Sequence, residues 1–266
     1  MDSASIAALL APFLERPLSQ FQLDQISIYI DLLLRWNARM NLTAIRNEKE
    51  IVTRHFGESL FLARNLYPDP SNPGSPKDLF GPDDSCHPEA PSHPERSQVI
   101  RESGDAAESK DPYPFPPPRQ GISFEPLHPP RIVDIGSGAG FPAIPLTIWA
   151  PTLHLTLIES NHKKAAFLSE VARTLTLTNI NVMTDRAEVL APRLSSQAEV
   201  VTLRAVERLE TILPKAVTFL ASKGILAMLI TTAQLPVVKT LTKMTWRLQL
   251  RIPESNTRLL SILQNE

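Results

Sequence analysis

Three glycines near the middle of the chain follow an acidic residue in the segment DIGSGAGF. The acid is Asp134, and Gly136, Gly138 and Gly140 stand at alternate positions after it. Glycine is needed where the backbone takes a positive φ or must approach a ligand without a side chain in between. A dinucleotide-binding fingerprint requires glycine at position 141, and this chain has Phe141 there. The GxGxG spacing is instead typical of loops that bind S-adenosylmethionine (SAM), whose chemistry is methyl transfer.

A second acidic residue stands where such a loop would place a nucleoside. The predicted strand LHLTLIE ends in Glu159, which lies 23 residues after Gly136. A carboxylate at the tip of the strand beside the loop can accept hydrogen bonds from both ribose hydroxyls. The loop and the acid together therefore favour a cofactor that contains a nucleoside. Ala187 and Glu188 follow the next strand, where backbone groups or an acid would read the adenine edge, although acidic residues also begin helices for dipole reasons.

The residues after the fourth strand narrow the kind of methyl acceptor. Enzymes that methylate exocyclic base amines commonly carry an Asn/Asp-Pro-Pro-aromatic motif there, and this chain has LRAV from Leu203. Methylation of pyrimidine carbon 5 generally needs a cysteine nucleophile, and the single cysteine, Cys86, lies in a different region. A ring nitrogen with a free lone pair, such as guanine N7, needs orientation rather than a base. Arg204 is placed to contact a base or a phosphate, and a structural salt bridge is the alternative.

A parallel α/β sheet is the arrangement that would bring these residues to one edge. From residue 131 onward, short apolar strands alternate with helical patterns, which is typical of strand–helix–strand units. We predict strands at 132–135, 153–158, 180–183, 200–203 and 225–230, helices at 143–149, 163–175, 187–190 and 209–220, and a closing hairpin of 246–251 and 258–263. The expected fold class is α/β, a class I SAM-dependent methyltransferase with a Rossmann-like, mostly parallel seven-stranded sheet and helices on both faces.

Residues 1–66 are predicted to form a helical extension in front of this core, which spans 131–266. Ser19 is the expected N-cap of one helix, and Asn47 begins another with Glu50 three residues later, as in a capping box. Basic and aromatic side chains are frequent in the extension and near the glycine loop: Arg35, Trp36, Arg39, Arg46, Lys49, Arg54, His55, Lys163 and Lys164. Stacking and phosphate contacts are how proteins read RNA, so the extension is expected to face RNA. The alternative is a solvated helix face with Trp36 in the core.

The 64 residues from 67 to 130 differ in composition from both flanking regions. They hold most of the chain's 25 prolines together with Ser, Asp, Glu and Gly, without a sustained period. Such a composition buries too little apolar surface to offset the entropy of ordering. We therefore predict a disordered or loosely extended insertion at 67–130.

Length, charge and cysteine content limit the remaining function classes. With 266 residues, a net charge of −1 and a pI of about 6.6, the chain has no global attraction to nucleic acid, which argues against a general coat protein. One cysteine excludes an internal disulfide and a two-cysteine metal site, and no metal is expected. No run of about 18 apolar residues is present, and the N-terminus lacks the basic region of a signal peptide. A cytoplasmic monomer that does not associate with membranes is therefore expected.

Six segments outside the insertion resemble one family, the bacterial small-subunit rRNA methyltransferase G family, also called glucose-inhibited division protein B. The segments are LLRWNARMNLTAIR, RHFGESL, DIGSGAGFPAIPL, LIESNHKKAAFL, DRAEVL and LRAVERL, and the resemblance extends over 18–66 and 131–263. It implies transfer of the SAM methyl group to N7 of one guanine in 16S rRNA, with the 30S ribosomal subunit as the partner.

The resemblance also implies roles for individual residues. It assigns Gly136, Gly138 and Gly140 to the cofactor loop, Glu159 to the ribose, and Ala187 and Glu188 to the adenine. We expect the cofactor to be contacted also by Asp134, Ser137, Phe141 and Arg204. Arg204 would also be the catalytic residue. The residues expected to face the substrate RNA are Arg39, Asn41, Thr43, His55 and Ser59.

Three positions depart from the pattern of that family. Glu58 stands where Asp is usual and Ala143 where Gly is usual, and both changes are expected to be tolerated. Ile230 replaces a lysine that is common at the end of the fifth strand and that would face RNA. This last change motivates one alternative function, a SAM-binding ribosome-assembly protein with weakened catalysis. A small-molecule methyltransferase of the same fold is the other alternative.

Overall fold

The computed structural model describes residues 1–69, 71, 130–205 and 208–266. The predicted disorder of residues 67–130 therefore falls outside the described residues, apart from the two ends of that segment. Within the described part of the chain, no helix is long and apolar enough to cross a membrane.

In the described ranges, seven strands form one sheet. In chain order they are β1 (Arg131–Ile135), β2 (His154–Ile158), β3 (Ile180–Met183), β4 (Ala198–Arg204), β5 (Leu220–Thr231), β6 (Thr245–Arg251) and β7 (Arg258–Gln264). Across the sheet they follow the order β3-β2-β1-β4-β5-β7-β6. The strands β1 to β5 are parallel, and β7 runs antiparallel to β5 and β6 on either side of it. This confirms the expected mostly parallel seven-stranded sheet and its closing hairpin.

Helices cover both faces of the sheet. They are α1 (Ser3–Leu10), α2 (Gln20–Asn37), α3 (Glu48–Glu50), α4 (Glu58–Leu66), α5 (Ala143–Trp149), α6 (His162–Thr174), α7 (Ala187–Leu194), α8 (Leu209–Phe219) and α9 (Leu235–Leu241). Because side chains alternate along a strand, β5 contributes to two apolar clusters. Ala227 and Leu229 pack with α1, α2 and α4 to α6, whereas Met228 and Ile230 pack with α7 to α9.

The N-terminal helices share their core with the sheet. The apolar cluster on that face contains residues of α1, α2 and α4 together with residues of β1 and β2. Gln22 Nε2 donates to the Ile148 carbonyl oxygen at 2.8 Å. Trp149 Nε1 donates to the Tyr67 carbonyl oxygen, also at 2.8 Å. The helices before the insertion are therefore fixed against α5, which follows the glycine loop.

The predicted helix starts are present, but one turn was not predicted. Ser19 forms a reciprocal capping box with Gln22, and the Asn47 side chain accepts from the N–H groups of Lys49 and Glu50. Between α3 and α4 the chain makes a π-helical turn, Ile51–Gly57. Such wide turns commonly occur at functional sites. The apolar pattern of this segment fits a continuous α-helix equally well, so periodicity alone could not reveal the turn.

Candidate cofactor cleft and arginine cluster

The glycine loop leaves β1 at the carboxyl edge of the sheet. Gly136 and Gly138 have φ angles of 71° and 58°, in the left-handed region that side chains rarely adopt. The N–H groups of Gly136 and Ser137 donate to the Ile158 carbonyl oxygen at 2.8 and 3.1 Å, which ties the loop to the end of β2. A Cβ atom on Gly136 would meet nothing within 4 Å. That side of the loop is therefore open to a ligand.

Gly140 also has a positive φ, 86°, and packing requires a glycine here as well. A Cβ atom there would overlap the hydroxyl oxygen of Tyr29 and lie 2.7 Å from the Ile144 side chain. The Tyr29 hydroxyl donates to the Ala139 carbonyl oxygen, so α2 holds the loop directly. Gly140 therefore lies behind the loop, where the absence of a side chain lets α2 approach.

Phe141 lies in a stack of three rings behind the loop, here called the aromatic stack: Tyr29, Phe141 and His55. The Phe141 ring is parallel to Tyr29 at 5.3 Å between centroids, and it stacks on His55 at 4.6 Å. Only 5% of Phe141 is exposed. The ring joins the loop to α2 and to the π-helical turn, and its contact with the cofactor stays a prediction.

Glu159 closes the loop from the end of β2. Its Oε2 accepts from the Gly138 N–H at 2.9 Å, and its Oε1 accepts from the Asn161 N–H at 2.8 Å. The residue is 7% exposed. Each carboxylate oxygen has a second lone pair, so the group can still accept from a ligand hydroxyl. This position agrees with the sequence prediction of an acid beside the glycine loop.

A cleft of about 340 Å³ opens beside the loop. It lies at the ends of β1 and β2 and is completed by the first turn of α7 and by Ile212 of α8. The volume is within the range of about 300–1,000 Å³ that is usual for small-molecule sites. The residues predicted to bind the cofactor that line this cleft are Gly136, Glu159, Ala187 and Glu188. At its rim, the exposed Glu188 forms an ion pair with Lys215.

Asp134 is buried in β1, directly before the loop. Its Oδ1 accepts from the Thr202 hydroxyl of β4 at 2.5 Å, and its Oδ2 has no partner among the described residues. Burial raises the pKa of this carboxyl to about 6, against the lowering effect of the hydroxyls of Thr202 and Ser137 and of the charge on Arg204. Ser137 itself is buried, and its hydroxyl donates to the Asp134 carbonyl oxygen at 3.1 Å. An unpartnered buried carboxylate oxygen is costly unless a donor reaches it, so Asp134 fits a ligand that carries one.

Arg204 ends β4, the neighbour of β1 on the side away from the cleft. It is the centre of the arginine cluster, which we define as His55, Glu58, Arg204 and Arg258. Nη2 of Arg204 donates to the Arg54 carbonyl oxygen at 2.7 Å and to Nδ1 of His55 at 3.0 Å. It also lies 3.3 Å from Oε2 of Glu58, whose Oε1 lies 2.5 Å from Nη1 of Arg258. Arg204 is not among the described residues that line the cleft, so its contact with the cofactor stays a prediction.

His55 is held neutral inside this cluster. Burial, together with the charges of Arg204, Arg54 and Arg258, lowers the pKa of its ring to about 2. Because Arg204 donates to Nδ1, the ring proton lies on Nε2, which faces Oγ1 of Thr43 at 2.8 Å. His55 therefore connects the turn that contains Thr43 to the arginine cluster without adding a charge.

The residues expected to face RNA divide into an exposed and a buried group. Arg39 and Asn41 are exposed, and Thr43 is half-buried. His55 and Ser59 are buried, and the Ser59 hydroxyl donates to the His55 carbonyl oxygen at 2.6 Å. Both polar groups are thus satisfied inside the protein. Direct contact of these two residues with RNA stays a prediction.

The basic side chains of the extension and Trp36 have different surroundings. Arg35, Arg46, Lys49, Arg54 and Lys163 are exposed. Trp36 packs edge-on against Phe167 at 5.6 Å between ring centroids, and its Nε1 donates to Glu170. The alternative interpretation therefore holds for Trp36, which packs on the core, while the basic groups face solvent.

Ile230 is 5% exposed and packs in the apolar cluster of α7 to α9. Its side chain faces the core in this structure, and the effect of this residue on catalysis stays a prediction.

Three residues of this edge were missed by the sequence prediction: Tyr29, Thr202 and Arg258. Thr202 pairs in register with Asp134 across β1 and β4, so a strand-register argument could have found it. Tyr29 and Arg258 come from elements before and after the core strands, and no local pattern indicates that they meet the loop or Arg204.

A family model described as rRNA small subunit methyltransferase G matches residues 22–71 and 123–250 of the chain. The chain is also similar to ribosomal RNA small subunit methyltransferase G of Roseiflexus castenholzii, with 35% identity over 216 residues that cover 78% of this chain and 67% of that protein. The proteins of the same name from Chloroflexus aggregans and Xylella fastidiosa are 34% and 31% identical, over 78% and 85% of this chain. The matches cover 63% of the Chloroflexus protein and 79% of the Xylella protein. The chain therefore spans about two thirds of the length of the Roseiflexus and Chloroflexus proteins.

Proposed function

The chain belongs to the rRNA small subunit methyltransferase G family, and on that premise we propose that it transfers the methyl group of SAM to N7 of a guanine in 16S rRNA. One observation carries the proposal: an open cleft of cofactor size lies beside a buried cluster built around Arg204. The two sites flank β1, so a donor in the cleft and an acceptor near Arg204 would meet at one edge of the sheet.

The cleft fits SAM in size and chemistry. When bound, SAM supplies a methyl group that its sulfonium activates for transfer. Glu159 would accept from the ribose hydroxyls, and Gly136 would let the ligand approach the backbone closely. Ala187 and Glu188 at the start of α7 would border the adenine. The free Oδ2 of Asp134 provides a buried acceptor at the same edge.

The arginine cluster suits an acceptor that needs orientation and no base. Guanine N7 carries a free lone pair, so no residue has to remove a proton before it attacks. His55 agrees with this requirement because it is buried, neutral and already bonded through Nδ1 to Arg204. Arg204 is the residue that would hold the base or its phosphate, through charge-assisted hydrogen bonds.

The exposed basic residues of the extension would guide the RNA to this edge. Arg39, Arg46 and Arg54 are exposed around the turn that leads into α3 and the π-helical turn. Cations on this face would contact phosphates and give binding that weakens with salt. In this proposal residues 1–66 form the RNA-facing part, residues 131–266 form the SAM-binding part, and the protein acts as a cytoplasmic monomer on the 30S subunit.

Incubation with tritiated SAM and 30S subunits from a strain that lacks the modification tests the proposal. Label at the N7 of a single guanine in 16S rRNA is the expected result, and naked 16S rRNA in parallel shows which form is the substrate. SAM binding without label on either RNA would instead support the assembly protein without turnover. Label on a small molecule in a cell extract, with none on 30S particles, would support a small-molecule methyltransferase.

A further inference from the structure

One carboxylate of the extension is shared between two arginines of the sheet. Glu58, the first residue of α4, has a side chain that is 4% exposed. Its Oε2 lies 3.3 Å from Nη2 of Arg204, and its Oε1 lies 2.5 Å from Nη1 of Arg258. Arg204 ends β4 and Arg258 begins β7, so Glu58 joins the ends of two strands that β5 separates.

The hydrogen bonds of Arg204 are all made through a single nitrogen, while its guanidinium carbon lies 5.8 Å from the centroid of the Phe141 ring. Every described hydrogen bond of its guanidinium is made by Nη2, to Arg54, His55 and Glu58. Its Nε is buried and has no partner among the described residues. The next residue, Ala205, has a φ of 53°, in the left-handed region. This costly conformation is often found beside functional residues. The remaining donors of Arg204 are therefore unused by the described protein, while Nη2 fixes where the group lies.

The charges of this group do not cancel. His55 is neutral, so Arg204 and Arg258 carry two positive charges against the one negative charge that Glu58 bears between them. Arg258 is anchored independently, because its Nε donates to the Ser255 hydroxyl at 3.2 Å. Removal of the negative charge would leave two guanidinium groups facing each other in a largely buried space. The two guanidinium groups would then move apart, which would displace Arg204 from its present position.

We propose that Glu58 is a positioning residue for methyl transfer, which holds Arg204 in place against the repulsion of Arg258. This inference rests on the proposed function, because Arg204 is assigned there to the acceptor. Arg258 lies beyond residue 250, where the family match ends, so the family comparison assigns it no role. Glu58 and Arg258 are not among the described residues that line the cleft, so their effect should fall on the methyl-transfer step and not on SAM binding.

Single-turnover transfer to 30S subunits, at saturating SAM and saturating subunits, tests this assignment. Glu58→Gln should lower the rate about tenfold or more, because truncating one partner of a buried charged pair is strongly unfavourable. The SAM Kd should stay within about twofold of the parent value. Glu58→Asp keeps the charge and should recover a large part of the rate. Glu58→Gln with Arg258→Gln should be faster than Glu58→Gln alone, because the repelling charge is gone.

A purely structural role for Glu58 gives a different pattern. In that case the rate and the thermal midpoint would fall together, and Arg258→Gln would add to the damage. The second discriminating measurement combines Glu58→Gln with Arg204→Lys. In that background Glu58→Gln should have little further effect on the rate. Additive losses in that background, or a SAM Kd that rises with the loss of rate, would overturn the proposal. Failure of the proposed function itself would appear separately, as a parent protein that labels no 30S subunit.

Discussion

The two sides of the glycine loop differ in what they present and in which residues build them. The cleft is open and is bordered mainly by glycine, strand ends and the first turn of one helix, all within residues 135–212. The arginine cluster is buried, charged and assembled from α4, the π-helical turn, β4 and β7. The comparison indicates that the proposed donor side is specified locally, whereas the proposed acceptor side depends on how the N-terminal helices pack against the sheet.

The aromatic stack is the link between the two sides. Phe141 belongs to the glycine loop, His55 belongs to the arginine cluster, and Tyr29 holds both from α2. A structural change in the N-terminal extension can therefore affect the glycine loop through these three rings. The variants below measure how far each side depends on the other, from the largest expected effect to the smallest.

Gly138→Val should weaken SAM binding about 100-fold or more. Valine is strongly disfavoured at a φ of 58°, and the strain would displace the N–H that Glu159 accepts from. Lys223→Val is the matched control, since Lys223 also has a φ of 58° but lies near the start of β5 and does not line the cleft. Isothermal titration calorimetry with SAM should show a loss of affinity for Gly138→Val only. Equal affinity for the two variants would remove the loop from the cofactor site.

Tyr29→Phe should weaken SAM binding about fivefold. It leaves the Ala139 carbonyl oxygen without its donor, and loss of one partner of a buried hydrogen bond costs about 1–3 kcal/mol, of which the loop bears a part. Tyr67→Phe is the control, because the buried Tyr67 hydroxyl has no partner among the described residues. An unchanged SAM Kd in Tyr29→Phe would show that the loop keeps its shape without the extension.

Asp134→Asn should change how stability depends on pH. Burial raises the pKa of Asp134 from 3.8 to about 6, so the neutral form stabilises the fold at low pH and this contribution is lost as the pH rises through about 6. This rise of about two units in the pKa corresponds to a loss of about 3 kcal/mol in the free energy of unfolding across the whole titration. The thermal midpoint of Asp134→Asn minus that of the parent should therefore increase between pH 4.5 and pH 8.

Thr202→Val sharpens this test. It removes a hydroxyl that lowers the pKa of Asp134, so the loss of stability with rising pH should be larger than in the parent. A difference between parent and Asp134→Asn that does not vary with pH would contradict the account of a buried, titrating carboxyl.

Lys215→Met should have the smallest effect. Its ion pair with Glu188 is partly exposed, and such pairs contribute less than about 1 kcal/mol to the free energy of unfolding. Urea unfolding should detect little change, and the SAM Kd should stay within twofold. A tenfold loss of affinity would show that the pair holds α7 in place at the rim of the cleft.

The donor side was largely predictable from the sequence because its signals are local. The glycines follow Asp134 within six residues, and Glu159 ends the next strand, so their proximity follows from a parallel sheet. Gly140 and Phe141 were predicted to bind the cofactor, and in the structure they lie behind the loop, where Tyr29 packs against them. The sequence does not reveal this packing. The arginine cluster was not predictable for the same reason: Arg204 meets Glu58 and Arg54 across 146 and 150 positions. Such contacts depend on helix packing that no periodicity specifies.

Arg204→Lys tests most directly whether donor and acceptor sites are separate. The SAM Kd and the single-turnover rate on 30S subunits should be measured on the same preparation, beside the parent. A lysine keeps the charge but cannot reproduce the guanidinium contacts, so we expect a rate about 100-fold lower and a SAM Kd within about threefold. A Kd that rises in step with the loss of rate would place Arg204 in the donor site, and an unchanged rate would remove it from the reaction.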